Sequence, residues 1–166
     1  MTRFLKLKLI LPLLPLFIVA SAIVGPLVGN AYAQSGLTLN LTLPKTGKLD
    51  IARTVVVITV KATCTVPAGS GWTFAGGFGD VLLSQVTQGK TMTSQGTFDL
   101  TTCDGTTQSI QVAVPSTTGS APFHAGPATI TFADLFGDYF DTNGNLQQSS
   151  MFVRNPQSIL ITVSRK

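Results

Sequence analysis

Residues Val55 to Val66 read VVVITVKATCTV, and the alternation within them marks an extended strand buried on one side. Val56, Ile58, Val60, Ala62, Cys64 and Val66 share one face, while Arg53, Thr59, Lys61, Thr63 and Thr65 share the other. Successive side chains of a strand point to opposite faces, so Cys64 belongs with the apolar row and points into a core. The same period of two recurs along the chain. Leu37, Leu39, Leu41 and Leu43 alternate with Thr38, Asn40 and Thr42. Further runs lie at 81–87, 96–103, 108–114, 128–133, 150–154 and 158–163, separated by Gly, Pro, Asn and Ser clusters. Short alternating runs at this spacing predict an all-β, antiparallel sandwich of about seven or eight short strands.

The N-terminus predicts export. Arg3, Lys6 and Lys8 precede an apolar run from Leu9 to Val28, and small residues end at Ala31-Tyr32-Ala33, the layout of a secretion signal. Cleavage between Ala33 and Gln34 would leave a single domain over 34–166. The alternative is an uncleaved anchor, since the apolar run is long enough to span a bilayer. Pro12, Pro15, Gly25 and Pro26 interrupt that run and favour cleavage.

Three of the eleven basic residues leave with the signal, so eight remain against seven acids, a formal net charge of +1. Those eight are scattered rather than clustered, and nucleic acid is not an expected partner. Every acid is Asp, which serves turns, and none is Glu. Two cysteines, Cys64 and Cys103, remain in a chain sent to an oxidising space, where pairing is the default. Their bridge would stabilise the fold by about 4 kcal/mol in the chain-entropy model. Phe98 and Leu100 have the opposite parity to Cys103, so either a bulge shifts the register or the cysteine lies just past its strand.

A bridge from the second strand to a later one, across two sheets, is the immunoglobulin-like arrangement. The chain departs from antibody domains. Trp72 lies in a glycine-rich loop, and no Tyr stands two residues before Cys103. Taken together, Ala62-Thr63-Cys64, Val66 to Trp72, Thr101 to Val114 and Phe123 to Phe132 resemble the small secreted immunoglobulin-like proteins of uncharacterised function found in many prokaryotes. The resemblance covers roughly half of the exported chain and leaves out the part from Asp134 onward. Its motifs are turns and core, so it implies fold and export and no activity.

The parts needed for catalysis are scarce. His124 is the only histidine, no GxSxG elbow occurs, and the residues have no zinc-ligand spacing. Seven Asp could meet in space as a carboxylate pair, but their spacing gives no sign of it. Asp141-Thr142-Asn143-Gly144-Asn145 resembles half of a calcium loop, yet Leu146 and Phe152 stand where a helix-loop-helix site needs Gly and Glu. A looser calcium loop over Asp138 to Asn145 competes with a plain tight turn at Asn143-Gly144. No metal and no cofactor are expected.

Two apolar features bear on binding. Trp72, Phe74 and Phe78 lie in the glycine-rich loop from Gly69 to Gly79, where large rings on a pliable backbone either grip a ligand or close one end of the sandwich. Phe132, Leu135, Phe136, Tyr139 and Phe140 fall at helical spacing and predict a short helix lidding the barrel end, or a docking patch if its aromatic face is exposed. Asn40-Leu41-Thr42 is a glycan acceptor sequon on the outward row of its strand.

Leu43 to Gly47 spell LPKTG, the sorting signal of surface transpeptidases. Such a signal works near a C-terminus, before an apolar stretch and basic residues, whereas most of this chain follows Gly47. The string therefore predicts a turn, with Lys45 to Lys48 reversing the chain. The expected function is a secreted, non-catalytic module, structural or binding an extracellular protein, glycan or small apolar ligand. The alternatives are a carrier holding an apolar ligand with Trp72, Phe74 and Phe78, and a small secreted hydrolase using Asp and His124.

Overall fold

The computed structural model describes residues 36–87, 89–116 and 122–163. The expected signal at 1–33 and its cleavage point at Ala33-Gln34 lie outside the described residues. Nine strands form among them, and none of them is helical. In chain order these are β1 (Thr38–Thr42), β2 (Thr46–Leu49), β3 (Val55–Thr65), β4 (Thr73–Thr87), β5 (Lys90–Leu100), β6 (Asp104–Pro115), β7 (Gly126–Phe140), β8 (Leu146–Val153) and β9 (Gln157–Val163).

Two long strands organise the sheet, because each carries two shorter strands end to end along one edge. Along β3 these are β1 (Thr42 opposite Lys61) and β2 (Gly47 opposite Ile58), with β6 on the other edge. Along β7 they are β9 (Ile130 opposite Gln157) and β8 (Ala133 opposite Val153), with β4 and then β5 on the other edge. β2 pairs with β9 and joins the two halves. The halves face each other across one core, fed by the inward rows of β3, β4, β5, β6, β7 and β9. On β3 that row is Val56, Ile58, Val60, Ala62 and Cys64, all at most 1% exposed. Full burial of a Val or Ile stabilises by about 1.5–3 kcal/mol, so this row alone is a large part of the driving force.

Several expectations need correction. The strands number nine rather than seven or eight, and β4 and β7 are 15 residues each rather than short. The glycine-rich loop proves to be the first part of β4 from Thr73 on, and the expected helix is the second half of β7. Aromatic residues fit a half-buried pleated surface, and β7 gains partners on both edges that an isolated helix would lack. The sheet is antiparallel except where β2 meets β9, which run parallel from Thr46 opposite Leu160 to Leu49 opposite Val163. The LPKTG segment does not reverse the chain. It carries the chain from β1 to β2 along the same edge of β3, and the reversal falls at Asp50 to Thr54.

That reversal is held by Asp50, whose carboxylate accepts from Thr54 N (2.7 Å), Thr54 Oγ1 (2.9 Å) and Val55 N (2.9 Å). These donors, Val55 N–H foremost, hold its pKa below the usual carboxylate value. Cys64 and Cys103 form the expected disulfide, with Cα atoms 4.4 Å apart. β5 ends at Leu100, so Cys103 lies past the strand end. The bridge thus ties β3 to the β5–β6 connection, rather than to a strand in the facing half. It sits where the β3–β6 register shifts between Thr63 and Thr65.

Candidate functional site

Two bulges decide where the aromatic side chains go. Phe74 pairs with Tyr139 and Gly76 with Asp138, so Ala75 is an extra residue on β4. Phe74 therefore points inward with Tyr139, while Phe78, four residues on, points outward opposite Phe136. Gly76 has φ +144°, which only glycine adopts without strain, and it supplies the kink the bulge needs. On β7 the extra residue is Thr131, since Leu82 pairs with Phe132 and Leu83 with Ile130. Ile130 stays in the core and Phe132 turns out.

The three loop aromatics are accordingly divided. Trp72 packs on Tyr139 with ring centroids 4.7 Å apart, Phe74 packs against the core, and Phe78 stands 43% exposed on the outer face. No single cavity gathers them. The outer face instead collects Phe78, Phe132 and Phe136 with Phe152 of β8. Phe78 and Phe136 stack at 5.0 Å, Phe136 meets Phe152 edge to face at 5.7 Å, and Phe132 lies 6.2 Å from Phe152. The Arg154 guanidinium lies 5.8 Å from the Phe152 centroid. An attraction of this cation for the ring quadrupole holds it there.

Asp134 sits in the middle of this patch and is only 7% exposed, although it belongs to the outward row. Its Oδ1 accepts the Asp80 backbone N–H at 2.8 Å. Burial among the rings raises its pKa above the ordinary carboxylate value, the Asp80 N–H opposes this, and the nearby Asp80 charge adds to it. Beside it an open pocket of about 100 Å³ is lined by Asp80, Leu82, Gln95 and Phe132. The patch is thus an aromatic surface with carboxylates set into it. Two of its rings stack on each other and a third carries Arg154.

The signal for this site is present in the sequence as a second alternating row. Phe132, Asp134, Phe136, Asp138 and Phe140 occupy every other position, interleaved with Ala133, Leu135, Gly137 and Tyr139. Helical spacing selects residues from both rows and so conceals them.

The remaining candidates lie elsewhere. His124 is half-buried in the segment before β7, its Nδ1 3.0 Å from Thr87 Oγ1. Its backbone is gripped by Gln85, a 1% exposed amide that donates to His124 O (2.9 Å) and Pro127 O (3.3 Å) and accepts from His124 N (3.1 Å). Asp141 caps the β7–β8 turn: Oδ1 accepts from Asn143 N (2.8 Å) and Asn145 N (2.9 Å), and these bonds, Asn145 N–H first, lower its pKa. Gly144 has φ +78°, as a tight turn requires. Asp138 faces out and accepts from Gln148 Nε2 at 2.8 Å. Asn40 is exposed on β1 opposite Thr63. Gly47 of LPKTG is buried within β2, which is paired on both edges, so the Thr46–Gly47 bond is closed to a protease in the folded state.

No family model and no curated protein matches the chain. Among solved structures it is similar to murine CRIg, at 7% identity over 77% of this chain and 99% of that one; the TM-score of 0.29 is too low to support any argument.

Proposed function

We propose that the protein is an exported, non-catalytic module with an immunoglobulin-like β-sandwich, which binds a partner protein through the outer face of β4, β7 and β8. The cluster of Phe78, Phe132, Phe136 and Phe152 carries this reading, because Phe78 and Phe152 remain 43% and 44% exposed around the buried Asp134. Contiguous exposed aromatic surface marks an interaction site more often than a packing defect. Export is supported by the Ala31-Tyr32-Ala33 layout and by the disulfide, which persists in oxidising compartments.

Native mass spectrometry of the protein from its own host's medium tests this, comparing wild type with a Phe78→Ser/Phe152→Ser variant. Wild type is expected to carry a partner mass that the variant loses. A wild-type protein without a partner, or a variant that keeps it undiminished, would count against the reading.

A further inference from the structure

We infer that the partner is a second copy of this chain, with the aspartate and phenylalanine face of one copy seated on the lysine and threonine face of the next. This rests on the docking face just described and adds its occupant. The outward rows of β4, β5 and β7 carry Asp80, Asp99, Asp134 and Asp138, and the cations of that half are Arg154 beyond β8 and Lys90 at the start of β5. The outer face of the other half is built from the outward rows of β1, β2, β3 and β6. It carries Lys48 and Lys61 among exposed threonines. Its one carboxylate in a strand, Asp104 at the start of β6, stays charged while accepting from Thr106 N (2.9 Å) and Thr106 Oγ1 (2.6 Å), so the strands of this face hold two lysines against one aspartate. Two faces of opposite charge on opposite sides of one domain are complementary to each other.

Shape agrees with charge. The lysine face holds an open recess of about 250 Å³ lined by Lys48, Leu49, Asp50, Val57 and Gln111, in which the Asp50 carboxylate is engaged by Thr54 and Val55. The half-exposed rings of Phe78 and Phe152 are apolar knobs of the size to enter it. Four strands about 4.8 Å apart and about eight residues long give roughly 500 Å² per copy, or about 1,000 Å² in total, which suits a specific but weak contact. The two surfaces differ, so the contact is heterologous and leaves each copy with one free face of each kind. Association would then continue into a stack rather than stop at a dimer.

Charge reversal tests the inference, with sedimentation velocity of the exported protein as the readout. Wild type is expected to form concentration-dependent stacks at low ionic strength that dissociate in about 1 M salt, where the screening length falls to about 3 Å. Lys48→Glu/Lys61→Glu and Asp99→Lys/Asp138→Lys should each weaken self-association by about a hundredfold or more. An equimolar mixture of the two should restore it. Asp99→Asn/Asp138→Asn, which keeps side-chain shape, should weaken it as well, so a misfolded reversal variant would not leave the matter open. A wild type that stays monomeric at low salt, or stacks indifferent to every one of these changes, would overturn the inference. If wild type is monomeric while native mass spectrometry finds a different protein lost with Phe78 and Phe152, the second copy is refuted and the docking face stands. If neither copy nor other protein binds, both fall.

Discussion

Gln85→Leu should destabilise the fold by about 3 kcal/mol, although the substitution is apolar, similar in volume and made in the core. The wild-type amide is 1% exposed and makes three bonds to a backbone segment with no strand partner of its own at His124. At about 1 kcal/mol net per bond the loss is about 3 kcal/mol, and more if the freed backbone groups stay buried. Rehydrating them instead would draw out the adjoining Phe123, which is fully buried, so relaxation is not a cheap escape. With a urea m-value near 2 kcal/mol/M, the midpoint should fall by about 1.5 M at unchanged slope. Hydrogen exchange should show the His124 amide losing protection well before the strands. Thr87→Val is the control, since it removes only the Thr87 to His124 Nδ1 contact and should cost less than about 1 kcal/mol. A Gln85→Leu midpoint within about 0.2 M of wild type would refute the idea that this amide fastens the segment, as a loss of about 3 kcal/mol requires a far larger shift.

Replacing Cys64 and Cys103 with Ala should lower stability by about 4 kcal/mol, checked by urea titration; a loss under about 1 kcal/mol would mean that the β5–β6 connection is held without the bridge. Gly79→Ala should cost about 1–3 kcal/mol, because an added Cβ would lie 2.5 Å from the Asp134 carbonyl oxygen and against the Phe98 ring, and a backbone carbonyl cannot swing away. Gly89→Ala meets no neighbour but has φ +75°, so any cost there is backbone strain alone, about 1 kcal/mol in thermal or urea unfolding. Asp134→Asn keeps the acceptor for Asp80 N–H and removes a buried charge. The folded pKa of Asp134 is raised, so its ionisation costs stability progressively as pH rises from the unfolded carboxylate value through the folded one. Relative to wild type, the variant should therefore gain stability across that window and hold the gain above it; a difference flat with pH would contradict the burial. Asp50, Asp104 and Asp141 have lowered pKa values and act with the opposite sign, their contribution being lost as pH falls.

The alternation of β3, the leucine row of β1 and the pairing of the only two cysteines were legible in the chain. Each depends on neighbours in sequence: a strand exposes every second residue to the same side, and two thiols have one intramolecular pairing. The continuation of β1 into β2 was not legible, because Lys45 to Lys48 carry the composition of a turn and run straight only by lying along β3. The course of β7 was equally hidden. Phe132, Leu135, Phe136, Tyr139 and Phe140 satisfy a helical period and a strand period at once, and the choice came from β4 and β8 pairing on its two edges.

Local alternation therefore sufficed for an all-β chain with Cys64 in the core, since a period of two needs no distant contact to be read. The outward aromatic face was decided in three dimensions. Without the extra residue at Ala75, Phe78 would follow Phe74 inward, and without the one at Thr131, Phe132 would follow Ile130. A bulge is defined by two residues standing opposite one on a partner strand, so it exists only once β4 and β7 are paired, and it inverts every side chain beyond it.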